Sequence, residues 1–155
     1  MTVRPFRAGD AAMVGALMDA AFGRPDEGAL MRHLRSEGAV AAERVAEHGG
    51  EITGAALLAR LEAPFPALAL APIAVAPMWQ GQGIGADLVR AALSAAEGAA
   101  VFVLGDPAYY GRFGFSAERA AGYVCAYAGP AFLVHGPQDM PATGRILFPQ
   151  AFSGL

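Results

Sequence analysis

The sequence predicts a mixed α/β fold, and three features lead there. A stretch rich in alanine, valine and glutamate turns on Gly49-Gly50, which is a β-hairpin signal. Downstream, an apolar run, a helical pattern and a second apolar run form a strand–helix–strand crossover. Ahead of both lie two segments with helical spacing, so helices flank the strands.

Element by element, Thr2 to Phe6 reads as an edge strand, because Pro5 cannot donate a ladder hydrogen bond. Asp10 reads as an N-cap for a helix with Met13, Leu17 and Ala20/Ala21 on one face, and Gly23 with Pro25 stops it. Asp26 opens a second helix with Leu30, His33 and Leu34 on one face, ended by Gly38. Two strands follow around Gly49-Gly50. The charges of Glu43, Glu47, Glu51 and Glu62 suit a half-solvated antiparallel pair.

"ALALAPIAVAP" is a long apolar strand with Pro72 inside it, where a proline implies a bulge or lost pairing. A helix from about Gln82 to Glu97 carries Ile84, Leu88, Ala91/Ala92 and Ala95 as its apolar stripe. "AAVFVLGD" reads as a buried strand between parallel neighbours. "PAYYGRFGF" reads as a short helix or turn leading into a strand at Phe115. "YVCAYA" and "GRILFP" are expected strands, with a loop from Pro137 to Pro141. No repeat or linker divides residues 1–155, so one domain is expected.

Composition narrows the function classes. A net charge of −3 with no basic run argues against nucleic acid, which needs clustered Lys and Arg. Ala63 to Ala86 is uncharged but contains Pro64, Pro66, Pro72 and Pro77, so it is not a membrane span. With no basic start followed by an apolar leader, a cytoplasmic location is expected. Cys125 is the only cysteine and cannot form an intramolecular disulfide; it reads as a small buried hydrophobe. His33, His48 and His135 show no metal-ligand spacing, and no metal is expected.

The chemistry-bearing feature is "APIAVAPMWQGQGIGADLVRAAL", with Gly81, Gly83 and Gly85 at alternate positions before a helix. A P-loop requires Lys and then Ser or Thr after the last glycine, whereas Ala86 and Asp87 stand here. A dinucleotide fingerprint is formally met, and Asp106 even stands where a ribose-binding acid belongs. Yet Ala76 to Gln80 separates the strand from the glycines, whereas in that fingerprint the first glycine turns directly off the strand. Two readings stay open: a simple strand-to-helix turn, or a seat for an anion on bare main chain at a helix N-terminus.

The stretch "IAVAPMWQGQGIGADLVRAAL" resembles the acyl-coenzyme-A-binding motif of the GCN5-related N-acetyltransferases, the GNAT family. Gln80, Gly83 and Gly85, preceded by Ala74-Val75, meet its Gln/Arg-x-x-Gly-x-Gly/Ala pattern. "VFVLGDPAYYGRFGF" separately resembles that family's fifth strand, the helix after it and the Tyr-x-x-x-Gly-Phe ending, most like the bacterial YhbS-type members. The resemblance is firm from Glu43 to Phe115, extends over the N-terminal elements and thins after Gly122.

The resemblance implies a mixed, mostly antiparallel central sheet, splayed between its fourth and fifth strands and flanked by helices. It implies acetyl transfer from acetyl-coenzyme A to a primary amine of a small molecule or a protein, by direct attack. Main chain of Ile73, Ala74 and Val75 would pair with the pantetheine arm, and an N–H near Val75 would stabilise the oxyanion. Gln80, Gly81, Gln82, Gly83, Ile84, Gly85 and Ala86 would form the diphosphate seat. Tyr110 takes the family's tyrosine position and would protonate the leaving thiolate, while Tyr109 reads as packing.

No side-chain base is evident on the central strand; Glu51, Glu62 and Asp106 are candidates, beside solvated or turn-forming roles. Arg90 and Arg112 are candidates for the 3′-phosphate, beside the plainer reading of exposed helix arginines. A coenzyme-A-binding sensor without catalysis is the rival function. A homodimer is suggested only by uncharged helical segments and a C-terminal strand.

Overall fold

The computed structural model describes residues 1–154. Strands β1 (Thr2–Pro5), β2 (Val40–His48), β3 (Glu51–Arg60), β4 (Ala67–Val75), β5 (Ala100–Leu104) and β7 (Phe132–His135) make one sheet, ordered β1-β2-β3-β4-β5-β7. Every neighbouring pair is antiparallel except β4–β5. Two-residue strands β6 (Tyr123–Val124) and β8 (Gly144–Arg145) pair separately, in parallel. Helices α1 (Ala11–Phe22) and α2 (Asp26–Ser36) cover one face of the sheet and α3 (Ile84–Ala95) the other. Short helices α4 (Pro107–Gly111) and α5 (Ala117–Ala120) follow β5.

The sheet sorts its side chains by strand periodicity. Ala55, Leu57 and Ala59 of β3 join Val14, Leu17, Met18 and Leu34 beneath α1 and α2. Ala56 and Leu58 join Leu88, Val89 and Ala92 beneath α3. The hairpin turn stands where expected, with Gly49 and Gly50 at φ 56° and 83°, the sign a type I′ turn requires at both positions.

Several details depart from expectation. β3 is buried on both faces from Ile52 to Ala59, so the hairpin is not half-solvated. Glu43 lies buried, its carboxylate gripped by the Arg35 guanidinium at 2.8–3.2 Å. Asp10 precedes α1 but its side chain makes no cap. It accepts from both terminal nitrogens of Arg4 at 2.9 and 3.0 Å and from the Arg7 N–H at 2.8 Å. Those bonds, Arg4 first, hold its carboxyl at about 2.

In α1 the buried stripe is Val14, Leu17 and Met18, and Met13 is exposed. In α2 His33 is exposed and Met31 takes its place in the core. The partner of β5 opposite β4 is antiparallel β7, so β5 has one parallel and one antiparallel neighbour. Phe115 starts no strand; Ser116 exchanges two main-chain bonds with Val134, at 2.8 and 3.1 Å, and then caps α5. Cys125 is half-buried rather than buried, and its Sγ accepts from the Tyr127 N–H at 3.5 Å.

Candidate active site

The sheet opens between β4 and β5. The two strands pair only from Ala67–Ala69 to Ala100–Phe102, while β4 runs on to Val75 bound to β3 alone. A bulge marks the divergence: Ala56 faces Ile73 and Leu58 faces Leu70, so Leu57 stands opposite both Ala71 and Pro72. Pro72 has no N–H to offer a neighbour, and the main chain of Ile73, Ala74 and Val75 beyond it has no β5 partner.

From the end of β4 the chain is pinned before it reaches the glycines. The Ala76 N–H donates to the Thr53 carbonyl at 2.8 Å, and a tight turn of Pro77–Trp79 follows. The Trp79 Nε1–H donates to the Glu51 carboxylate at 2.7 Å, and its ring lies 4.9 Å from that of His48. Gln80 returns its side-chain amide to the Val75 carbonyl at 3.0 Å. Gly81 and Gly83 then take φ of 79° and 83°, which L side chains rarely adopt, and α3 begins at Ile84.

No side chain among the described residues caps α3. Its first N–H groups, on Ile84, Gly85 and Ala86, have no intrahelical acceptor and carry the positive end of the helix dipole. Gly54 on β3 lets this helix end sit close, since a Cβ there would stand 2.8 Å from Leu88 Cδ1 and 3.2 Å from Ile84 Cγ2. A cleft of about 350 Å³ opens here, lined by Val75, Trp79, Gln80, Gly81, Gly83 to Ala86, Tyr109 and Arg112.

The second part of the site comes from α4. Asp106 caps that helix, accepting from the Ala108 N–H at 2.9 Å. The Tyr110 ring lies on the bare main chain of Gly105: a Cβ there would collide with its Cε2 and Cδ2. Tyr109 and Phe115 meet the ring edge-on, at centroid distances of 5.0 and 5.6 Å. Burial, with a smaller contribution from Tyr109, pushes the Tyr110 phenol up to about 12, so it is protonated at neutral pH. Gly105→Ala must therefore displace the Tyr110 ring. Reduced activity with Tm nearly kept is the expected result, and an unmoved ring in the variant's crystal structure contradicts it.

Tyr110 lines a second cavity, of about 300 Å³, with Phe22, Glu27, Leu30, Leu70 to Ile73 and Val103 to Gly105. The two cavities meet the same two segments at nearby positions, Val75 and Tyr109 for one, Ile73 and Tyr110 for the other. Both border the opening between β4 and β5, and a smaller cavity of about 110 Å³, lined by Ala69 to Ala71 and Phe102 to Leu104, lies beside it.

Of the acid candidates, none lines either cavity: Glu51 is held by Trp79, Asp106 caps α4, and Glu62 is exposed ahead of β4. Arg90 lies beside Asp87 at 3.5 Å and away from the clefts. Arg112 lines the first cleft, its guanidinium 4.6 Å from the Tyr109 ring centroid. Tyr109, read from sequence as packing, does pack on Phe113, yet its hydroxyl also stands 3.1 Å from where a Gly85 Cβ would be. Its i, i+3 spacing to Arg112 on one helical turn is the signal that could have found the pair. Glu27 is the acid that sequence reasoning missed; in sequence it looks like any first-turn helix carboxylate. Among the described residues no cluster of His, Cys, Asp or Glu could hold a metal ion, and no helix is long and apolar enough to cross a membrane.

Comparison with known proteins agrees with this geometry. A family model described as the acetyltransferase (GNAT) domain matches residues 29–117. The uncharacterized N-acetyltransferase YhbS of Escherichia coli (strain K12) is 32% identical over 144 residues, covering 87% of this chain and 86% of that protein. The crystal structure of Escherichia coli YhbS in complex with CoA superposes with a TM-score of 0.90 at 29% identity, over 98% of this chain and 91% of that one. A GNAT family acetyltransferase from Brucella melitensis, in complex with acetyl-CoA, gives a TM-score of 0.82 at 31% identity, over 97% of each chain. With the open β4–β5 edge, the uncapped α3 N-terminus and these matches in hand, the chain belongs to the GNAT family of acetyltransferases.

Proposed function

We propose that this chain transfers the acetyl group of acetyl-coenzyme A to a primary amine by direct attack. The observation that carries the reading is the opening between β4 and β5, which has a helix N-terminus at one end and a protonated tyrosine at the other. Relatives of the same fold hold CoA and acetyl-CoA, which supports placing that molecule in the opening.

In this reading Ile73, Ala74 and Val75 hold the pantetheine arm through main-chain hydrogen bonds, as a further strand would be held. The N–H groups of Gln82, Gly83, Ile84, Gly85 and Ala86 receive the diphosphate, and glycine at 81, 83 and 85 lets it approach. Gln80 acts through the loop, since its amide is engaged by Val75. Arg112 adds positive charge at the rim of the same cleft. Residues of β6, β7 and the segment beyond complete the core, so the whole chain is taken as one catalytic unit.

The chemistry follows. An amine that has lost its ammonium proton to water attacks the thioester carbonyl, forming the C–N bond. An N–H beside Val75 stabilises the oxyanion. The C–S bond then breaks and the sulfur takes the proton of Tyr110, while the newly bonded nitrogen loses its extra proton, which returns through water to the Tyr110 phenolate. A phenol near 12 is a weak acid, but the same apolar surroundings raise the basicity of the departing thiolate as well.

Calorimetric titration with acetyl-coenzyme A and with NADH, followed by a free-thiol assay over an amine panel, tests the reading. Acetyl-coenzyme A binding with amine-dependent thiol release is expected. Binding without release on any amine would make the protein a sensor; NADH binding alone would remove the reading.

A further inference from the structure

The acceptor's chemical class is written in the second cavity. We propose that this cavity admits an amine carried on an apolar body, and that the Glu27 carboxylate receives its ammonium group. The inference rests on the acetyltransferase reading and deepens it by naming the substrate class.

Position comes first. If the first cleft and the β4 edge are filled by the donor, an amine attacking the thioester directly has to arrive from the other end of the opening. That end is the 300 Å³ cavity, and Tyr110 stands on its wall. Its lining is almost wholly apolar: Leu30, Leu70, Ile73, Val103 and Leu104 dominate. Phe22 and Leu104 belong to the few large apolar side chains left exposed, at 42% and 48%, and both bound this cavity. Two wet apolar groups on one rim are a surface that an apolar ligand would cover.

Charge comes second. Among the described residues Glu27 is the only charged one on the lining, and it is buried, 5% exposed. Its partner is Arg24, which donates Nε–H to Oε1 at 3.0 Å and a terminal N–H to Oε2. Arg24 itself is half in water, its side chain 52% exposed. A carboxylate offers about four acceptor positions, and Arg24 takes two of them. A buried carboxylate with spare acceptor capacity, on the wall of an apolar cavity, favours a cationic amine over a neutral or anionic ligand.

Two probe amines of equal charge separate the parts of the proposal: phenethylamine, with an apolar body, and ethanolamine, with a polar one. On the wild-type protein, kcat/KM for phenethylamine is expected to exceed that for ethanolamine at least about 10-fold, the scale of burying a ring-sized apolar body. In Glu27→Gln, which keeps an acceptor for Arg24, the phenethylamine KM should rise at least about 10-fold with the acetyl-coenzyme A KM unchanged. An unchanged amine KM in a folded Glu27→Gln, or equal use of the two amines by wild type, overturns the proposal. Should Glu27→Gln fail to fold, calorimetry on the wild-type protein with CoA bound decides the carboxylate's part: the neutral isostere 2-phenylethanol should bind at least about 10-fold more weakly than phenethylamine, and equal binding overturns the proposal. Acetylation of other amines but neither probe overturns this inference and leaves the acetyltransferase reading standing. No thiol release from any amine, with acetyl-coenzyme A bound, removes both.

Discussion

Tyr110→Phe should lower kcat by about 10²-fold or more while leaving the acetyl-coenzyme A KM nearly unchanged. The substitution removes one oxygen and keeps the ring that Gly105, Tyr109 and Phe115 hold, so the fold and the donor site stay as they are. The missing proton is needed only as the thiolate leaves, which places the loss in kcat. The phenol's position at about 12 also sets a pH signature. Activity should rise with pH as the acceptor amine loses its proton, and Tyr110 ionisation should impose no fall below about pH 11. An unchanged kcat in Tyr110→Phe removes Tyr110 as the acid, and an alkaline fall near pH 9 assigned to this residue contradicts its burial.

Gly83→Val should weaken acetyl-coenzyme A binding by about 100-fold or more, measured by calorimetry. Gly83 stands at φ 83° immediately before α3. A branched residue there costs about 1–2 kcal/mol in the left-handed region. The chain escapes that cost by turning its N–H groups away from the cleft. Stability should drop by no more than that amount, because nothing lies within 4 Å of a Cβ at this position. Binding within a few-fold of wild type would place the diphosphate elsewhere.

Much of the fold could be read from local signals, and the losses have physical causes. The Gly49-Gly50 turn and the Pro72 bulge are chain-local, so they were legible. The α1 stripe slipped by one residue because an alanine-rich helix offers equal spacing from Met13 and from Val14. β7 escaped notice because "FLVH", though it lies between two Gly-Pro turns, is too short to show an alternation, and its pairing with Val101–Leu104 is distant in the chain. Burial of β3 on both faces depends on helices from before and after it in the chain, which no window around β3 contains.

The candidate site divides the same way. The glycines and Tyr110 belong to contiguous motifs, so sequence alone could name them as candidates, and the fold places them on the two clefts. Tyr109, Arg112 and Glu27 acquire their meaning from what lies opposite them: the α3 terminus for the first two, the ends of β4 and β5 for the third. The same distance effect demoted Glu51 and Asp106, each of which the fold occupies with a structural partner, Trp79 and the α4 N-terminus.

In the proposed reading the donor lies along the unpaired edge of β4, with its diphosphate on the start of α3 and its sulfur beside Tyr110. The electron density of a crystal of this protein grown with acetyl-coenzyme A tests it most directly. Diphosphate density is expected within hydrogen-bonding distance of the main-chain nitrogens of residues 82–86, pantetheine density beside Ile73–Val75, and the thioester within reach of the Tyr110 hydroxyl. Density for the diphosphate away from the α3 N-terminus, or a thioester directed away from Tyr110, would contradict it.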